Sequence, residues 1–296
     1  MALRAIENSL GNPKLEKRKT PIKAPTLLSP KNQFDSGETN ENCDVVSVFS
    51  DPAIEYIASN DLKPIPNPEK QLQSVIEGLE SDNWLTICEA LNNARRYALF
   101  HSPLLSPNLG KILAVTAKAM KNPRSALCKT SIMAASDIFA AFGDVVDSEI
   151  VSFDEVIMQL LLKASQDKRF VCEEADRALD ALVKSVAPLT LLSKLQKYVS
   201  HSNPKVRAKA AVSVANSVSN VKFEELEAVG IVMILKMGAH LLNDRLPSAR
   251  EAARRVLLSV HDACTGVSEV MATWEDLCTD NLSPITAQAV FKLVKT

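Results

Sequence analysis

The sequence predicts an all-α fold: an α-solenoid of about six helical hairpins preceded by a disordered tail. Three observations predict it. Val171, Ala175, Ala178, Leu179 and Leu182 recur at three- and four-residue intervals, the period of one buried helix face. The polar tetrapeptide Asp167-Lys168-Arg169-Phe170 precedes that face, and an apolar helix over 153–165 precedes the tetrapeptide, so the unit is a hairpin. The same order of helix, short turn and helix occurs five more times, with turns opening at Asn83, Asn122, Asn203, Asp244 and Asn281; with Asp167 included, successive spacings are 39, 45, 36, 41 and 37 residues. Composition agrees: 8 glycines and 5% aromatic residues in 296 suit helices better than a sandwich or barrel.

Two-helix units of about 40 residues have the period of HEAT and armadillo arrays, where each hairpin buries its apolar face only against its neighbours. The first hairpin is expected over 69–80 and 85–99. The second is expected over 107–121 and 126–142, with Asn122 as the cap and Pro123 at the first helical position, where a missing N–H costs nothing. The third pairs 153–165 with the helix that follows the tetrapeptide. The fourth covers 190–201 and 206–218, and Asn203-Pro204 repeats the cap-and-proline signal. The fifth covers 225–242 and 249–261. The sixth covers 267–279 and 285–295 and is expected to cap the array.

Residues 1–68 differ from the rest. They hold 8 of the 15 prolines and little apolar periodicity, so they are expected to be mostly disordered, with the array occupying 69–296. A short helix near 51–59 is expected to dock Ile54, Tyr56 and Ile57 on the first hairpin. Lys14, Lys17, Arg18, Lys19 and Lys23 form a small basic cluster suited to an auxiliary contact with an acidic surface. Thr20-Pro21 and Ser29-Pro30 fit proline-directed kinases, and phosphates there would cancel part of that charge.

The whole chain carries a net charge of −1, so any binding charge must be segregated onto one face. Its six cysteines form no C-x-x-C pair and sit mostly in apolar helical positions, which points to reduced thiols in an intracellular protein. No apolar run reaches the roughly 18 residues a membrane span needs, and Met-Ala-Leu-Arg-Ala-Ile-Glu is too polar for a signal peptide. His101, His201, His240 and His261 do not fall at metal-ligand spacing, and neither a glycine-rich phosphate loop nor a G-x-S-x-G turn occurs. A non-catalytic protein without cofactors, nucleic acid or a membrane as partner is expected.

Parallel hairpins place all their internal turns along one edge. That edge would gather Trp84, then Lys121 and Arg124, then Lys168, Arg169 and Phe170, then Lys205 and Arg207, then Arg245 and Arg250. With layers about 10 Å apart, the ridge is roughly 50–60 Å long and suits an extended acidic surface. Each residue also has a structural reading. Trp84 could staple its own helix start, and Phe170 could pack under its turn. Arg177, Arg207 and Arg250 could pair with nearby carboxylates such as Asp176, Asp180 and Glu251.

Ser81-Asp82-Asn83-Trp84 followed by Glu89-Ala90-Leu91 resembles the first repeat of a TOG domain. The run from Asp167 to Leu179 resembles the third repeat in the CLASP and crescerin group, and Asn203-Pro204-Lys205-Val206-Arg207 and Ser248-Ala249-Arg250 resemble the fourth and fifth. The likeness spans 69–296. It implies a tubulin- and microtubule-binding protein of the cytoskeleton, with Trp84 against β-tubulin and the later basic turns toward α-tubulin. The positions carried over are Trp84, Arg124, Lys168, Arg169, Phe170, Lys205, Arg245 and Arg250, and the target is the tubulin heterodimer or the microtubule lattice. Pro123 departs from the family pattern, and a single array departs from members that carry several, so self-association or a further protein partner would be needed for processive assembly. The rival expectation is a general HEAT or armadillo adaptor gripping a peptide on its second helices; those helices read as Ala- and Arg-rich, with Asn93 the main exception.

Overall fold

The computed structural model describes residues 56–146, 150–219, 221, 223–266 and 274–295, and every regular element among them is helical. The readings of residues 1–55, including the basic cluster, the two proline-directed sites and Ile54, lie outside the described residues. So does the stretch 267–273 of the sixth hairpin.

Hairpin one joins α1 (Pro68–Leu79) to α2 (Trp84–Phe100). A short α3 (Ser102–Leu105) and a 3-10 turn at Ser106–Asn108 lead into hairpin two, α4 (Leu109–Met120) and α5 (Ser125–Phe142). Hairpin three is α6 (Ile150–Ala164) and α7 (Arg169–Ser185). Hairpin four is α8 (Pro188–Leu195), extended by a 3-10 turn at Gln196–Tyr198, and α9 (Pro204–Val218). Then come α10 (Phe223–Val229) and α11 (Ile231–Leu241) against α12 (Pro247–Thr265), and finally α13 (Trp274–Asn281) against α14 (Pro284–Val294).

The second helices form one layer. Alanines make it possible: Ala94, Ala134, Ala135, Ala175, Ala178, Ala211 and Ala253 are fully buried, and a methyl side chain lets neighbouring helix axes approach closely. α5 packs broadly on both α2 and α7, and α9 packs broadly on α12. Between α7 and α9 the contact is much thinner. At the far end of this layer Gly143, just after α5, backs onto α7. A Cβ there would lie 2.0 Å from the Ser185 carbonyl oxygen, so only glycine fits.

Several expected elements differ, each for a local reason. Prolines at 103 and 107 break the expected 107–121 helix, which begins at Leu109 after two short turns. Pro123 is not at the first helical position: α5 starts at Ser125, with Arg124 as its N-terminal flank. The expected 225–242 helix is two helices, because Gly230 takes φ +101°, a left-handed conformation that ends α10. The fourth first helix starts earlier, at Pro188, and tightens to 3-10 after Leu195. Ser59–Asp61 is a single 3-10 turn, and Tyr56 meets Lys129 of α5 in hairpin two, with Nζ 4.3 Å from the ring centroid. Packing reaches upstream of residue 69, since Leu62 and Ile65 are buried.

Among the described residues, one ion pair has both side chains almost wholly buried. Arg95 of α2 donates from Nε to Asp137 Oδ2 of α5 at 2.6 Å, with side chains 0% and 6% exposed. Ser59 donates to the other carboxylate oxygen at 2.7 Å, and Arg95 Nη1 donates to Asn92 Oδ1 at 3.0 Å. The cluster therefore pins hairpin one, hairpin two and the segment before α1 to a single point. Removing one partner strands a buried charge, which costs about 3–5 kcal/mol. Asp137→Ala is expected to lower urea-unfolding stability by that amount; a loss under about 1 kcal/mol would show that Arg95 finds water or another partner.

Candidate binding edge

The internal turns share a local device. Asn83, Asn122, Asn203 and Asp244 each accept, through the side-chain oxygen Oδ1, the backbone N–H two residues on: from Leu85, Arg124, Lys205 and Leu246, all at 2.9 Å. This Asx turn reverses the chain tightly and presents the next helix start in the same way at each layer. The other two turns differ. Asp167 is engaged by the next hairpin, and at the sixth turn Ser283 accepts from the Thr286 N–H at 3.3 Å.

On this scaffold the expected residues fall into three groups. Trp84 opens α2 and is half-buried against the core, while the guanidinium carbon of Arg124 lies 5.4 Å from its ring centroid. Trp84 and Arg124 thus form one cation–π unit across hairpins one and two, combining the stapling and the exposed readings of the indole. Lys168, Arg169 and Phe170 surround the start of α7. The Lys168 ammonium donates to Ser125 Oγ at 3.0 Å across hairpins; Arg169 has a side chain 90% exposed, and Phe170 is 43% exposed. Arg169 and Phe170 are the first residues of α7 and not part of the turn. Lys205, the second residue of α9, and Arg245 on turn five are both exposed.

Arg250 belongs to a different class. Its Nη1 donates to the carbonyl oxygens of Asp244 and Arg245 at 2.8 and 3.1 Å, so it closes the fifth turn from behind. Arg207 does the same for the fourth turn, donating to the His201 and Ser202 carbonyls at 2.8 and 3.2 Å, and it also holds Asp244 at 2.7 Å. Arg207 thereby ties turns four and five together, while Arg250 braces turn five alone. Arg177 pairs with Glu174 at 2.9 Å.

Sequence reasoning missed the carboxylates that stand beside the cations. Lys121 is ion-paired to Glu155, Arg169 to Glu173 at 2.7 Å, and Lys205 to Asp167 at 2.9 Å. The Lys205 hydrogen bond and charge hold the Asp167 carboxyl below its ordinary range, and Arg169 does the same to Glu173. The spacing of Arg169 and Glu173, four residues apart on one helix face, was the available signal. It also missed Ile285, the second residue of α14, which is 83% exposed after the sixth turn.

A helical-repeat scaffold that exposes one edge of basic turns, flanked by a Trp at one end, is a HEAT-type array. The sequence profile of the CLASP N-terminal family matches residues 98–282, and the chain belongs to that family. Its array is a TOG domain of the CLASP and crescerin group. A mouse (Mus musculus) relative, TOG array regulator of axonemal microtubules protein 1, is 28% identical over 207 residues, 69% of this chain and 12% of the relative. The chain thus spans a small part of that relative. Among solved structures, the TOG domain of C. elegans Zyg9 superposes with a TM-score of 0.56 at 17% identity, covering 81% of this chain and 90% of that one. A chain from work on TOG–tubulin binding specificity superposes at 0.53 and 14% identity, covering 77% and 85%. At such identities the likeness concerns the fold.

The Asp244 cluster carries a pH signature. Burial pushes its carboxyl up, but the Arg207 hydrogen bond, the Leu246 N–H and nearby positive charge outweigh it, and the net position is below the ordinary range. A depressed folded value stabilises the fold above the unfolded carboxylate pKa, about 3.9, and that contribution is lost as pH falls through the folded value. Asp244→Asn is therefore expected to lower stability at pH 7 and to reduce the slope of stability against pH below about 4. An unchanged slope in guanidinium melts at pH 2.5–5 would contradict the assignment.

Proposed function

We propose that this chain binds tubulin, as free heterodimer or in the microtubule lattice, through the edge of its internal turns, and that it regulates microtubules without catalysis. One observation carries the reading: five turns distant in sequence are linked in succession by side-chain contacts, with the Trp84–Arg124 pair at one end and exposed Arg169, Phe170, Lys205 and Arg245 along them. A row of cations and amphipathic anchors is complementary to an extended acidic protein surface. Family membership supports tubulin as that surface, with the Trp84 end against β-tubulin and the later turns toward α-tubulin. The protein would accordingly reside on the microtubule cytoskeleton.

The edge is not a set of bare charges. Glu173 and Asp167 occupy Arg169 and Lys205 in the free protein, so an acidic partner must share or displace them. This makes the test two-sided. Lys168→Glu with Arg169→Glu is expected to weaken binding to purified tubulin by roughly ten- to a hundredfold, and binding should weaken steeply with added salt. Asp167→Asn and Glu173→Gln, which free the cations, are expected to strengthen it by about two- to fivefold. Binding that ignores both salt and the charge reversal would refute the edge as the contact.

A further inference from the structure

The first helices of hairpins four and five stand apart. α10 packs against both α8 and α11, and α8 and α11 make little direct contact. A cavity of about 660 Å³ opens between them. Its two walls are helix faces. Val232, Met233, Lys236, Met237 and His240 of α11 recur at steps of one and three residues, which places them on one side of the helix. Ser193, Gln196, Lys197 and Ser200 face them from α8 and the residues that follow it. At about 1.5 Å per residue, the α11 wall makes a groove about 12 Å long.

The charge along this groove has one sign. Its ionisable lining residues are Lys197, Lys236 and His240, and among the described residues no carboxylate lines it. Two carboxylates stand close by, and both are engaged. Asp154 takes Lys194 and Lys197 together, at 3.2 and 3.1 Å, so one negative charge meets two ammonium groups. Asp244, near enough to feel His240, is held by Arg207 at 2.7 Å. Lys236 is exposed and has neither an ion pair nor a hydrogen bond among the described residues. Beneath the cations lies an apolar floor: Met237 is buried and Met233 half-buried. Unbranched thioethers adapt to apolar side chains of differing shape. Gln196 and Ser200 are exposed, and their side chains make no hydrogen bond among the described residues.

We propose that this groove binds an acidic peptide segment of a protein partner. An extended chain rises about 3.3 Å per residue, so about four residues lie between the walls. Carboxylates of the segment meet Lys236 on one wall and Lys197 on the other, where the shared Asp154 leaves positive charge in surplus. An apolar side chain between those carboxylates rests on Met233 and Met237. The Gln196 amide donates to a backbone carbonyl of the segment. Complementary charge selects the partner, and the thioether floor adds contact area. The proposal does not rest on tubulin being the partner at the turn edge, because its residues belong to the first-helix layer and the cations at the start of α7 take no part.

The test uses the full chain and a fluorescein-labelled eight-residue peptide of glutamates with two leucines, read by anisotropy. Saturable binding is expected. Lys236→Glu should weaken it by about tenfold or more, and Met233→Ser by about two- to fivefold. Lys118→Glu on α4, an equal charge change on an exposed residue of another first helix, should leave it within about twofold. Lys168→Glu with Arg169→Glu should do the same, which separates this groove from the turn edge. Lys236 is exposed, so the melting temperature of Lys236→Glu should match that of the parent. No saturable binding at millimolar peptide, equal binding of a lysine–leucine peptide, equal losses in Lys236→Glu and Lys118→Glu, or a loss confined to the α7 double variant would overturn the proposal. A dimer in sedimentation that Lys236→Glu disperses would place a second copy in the groove and overturn it equally.

Discussion

The close approach of alanine-lined second helices is the constraint on which the rest depends. No hairpin has a core of its own, and its apolar face is buried only when the next hairpin lies against it. Ala94, Ala134, Ala135, Ala175 and Ala178 let α2, α5 and α7 pack side by side, and Ala211 and Ala253 do the same for α9 and α12. Because the helices are spaced by methyl groups, their starts fall in register and the internal turns line up. A larger residue at one of these positions would push one layer outward and break the row, in addition to its overpacking cost. Where the packing thins, between α7 and α9, polar bridges take over: Asp176–Lys209 on the helices and Asp167–Lys205 at the turns.

Polar groups then give the array its fixed geometry. The buried Arg95–Asp137 pair contributes position more than net stability, since desolvating two charges consumes much of their attraction. Arg207 and Arg250 act similarly at the edge: each donates to two carbonyls of its turn, and Arg207 also grips Asp244. The turns are therefore preorganised, and a partner need not supply the free energy to order them. The exposed cations are treated differently. Their ion pairs with Glu155, Glu173 and Asp167 lie in solvent, where such pairs contribute little to folding, so they can be exchanged for a partner's carboxylates at small cost.

Much of the fold was legible because helical periodicity and the Asn or Asp that opens most turns are local signals. Asn83, Asn122, Asn203 and Asp244 all make the same side-chain turn. What was not legible depends on backbone events or on distant partners. Gly230 sits between two apolar runs, and nothing local distinguishes a tolerated helical glycine from one at positive φ. Prolines at 103 and 107 were visible, but not the short turns that accommodate them. Leu62 and Ile65 lie among prolines without a period, so their burial could not be read. At the edge, residue types were readable and roles were not: Arg250 and Lys205 look alike in sequence, yet one closes a turn and the other faces solvent. The thin contact between α7 and α9 is likewise a matter of distant partners, which no residue pattern announces.

Hydrogen–deuterium exchange of the chain alone and with saturating tubulin tests most directly whether the internal turns form the contact. Protection is expected at the starts of α2, α5, α7, α9 and α12, in one continuous row, with the opposite helix ends around Phe100, Gly143 and Ser185 exchanging as in the free protein. Protection concentrated at those opposite ends, with the turns unchanged, would contradict it.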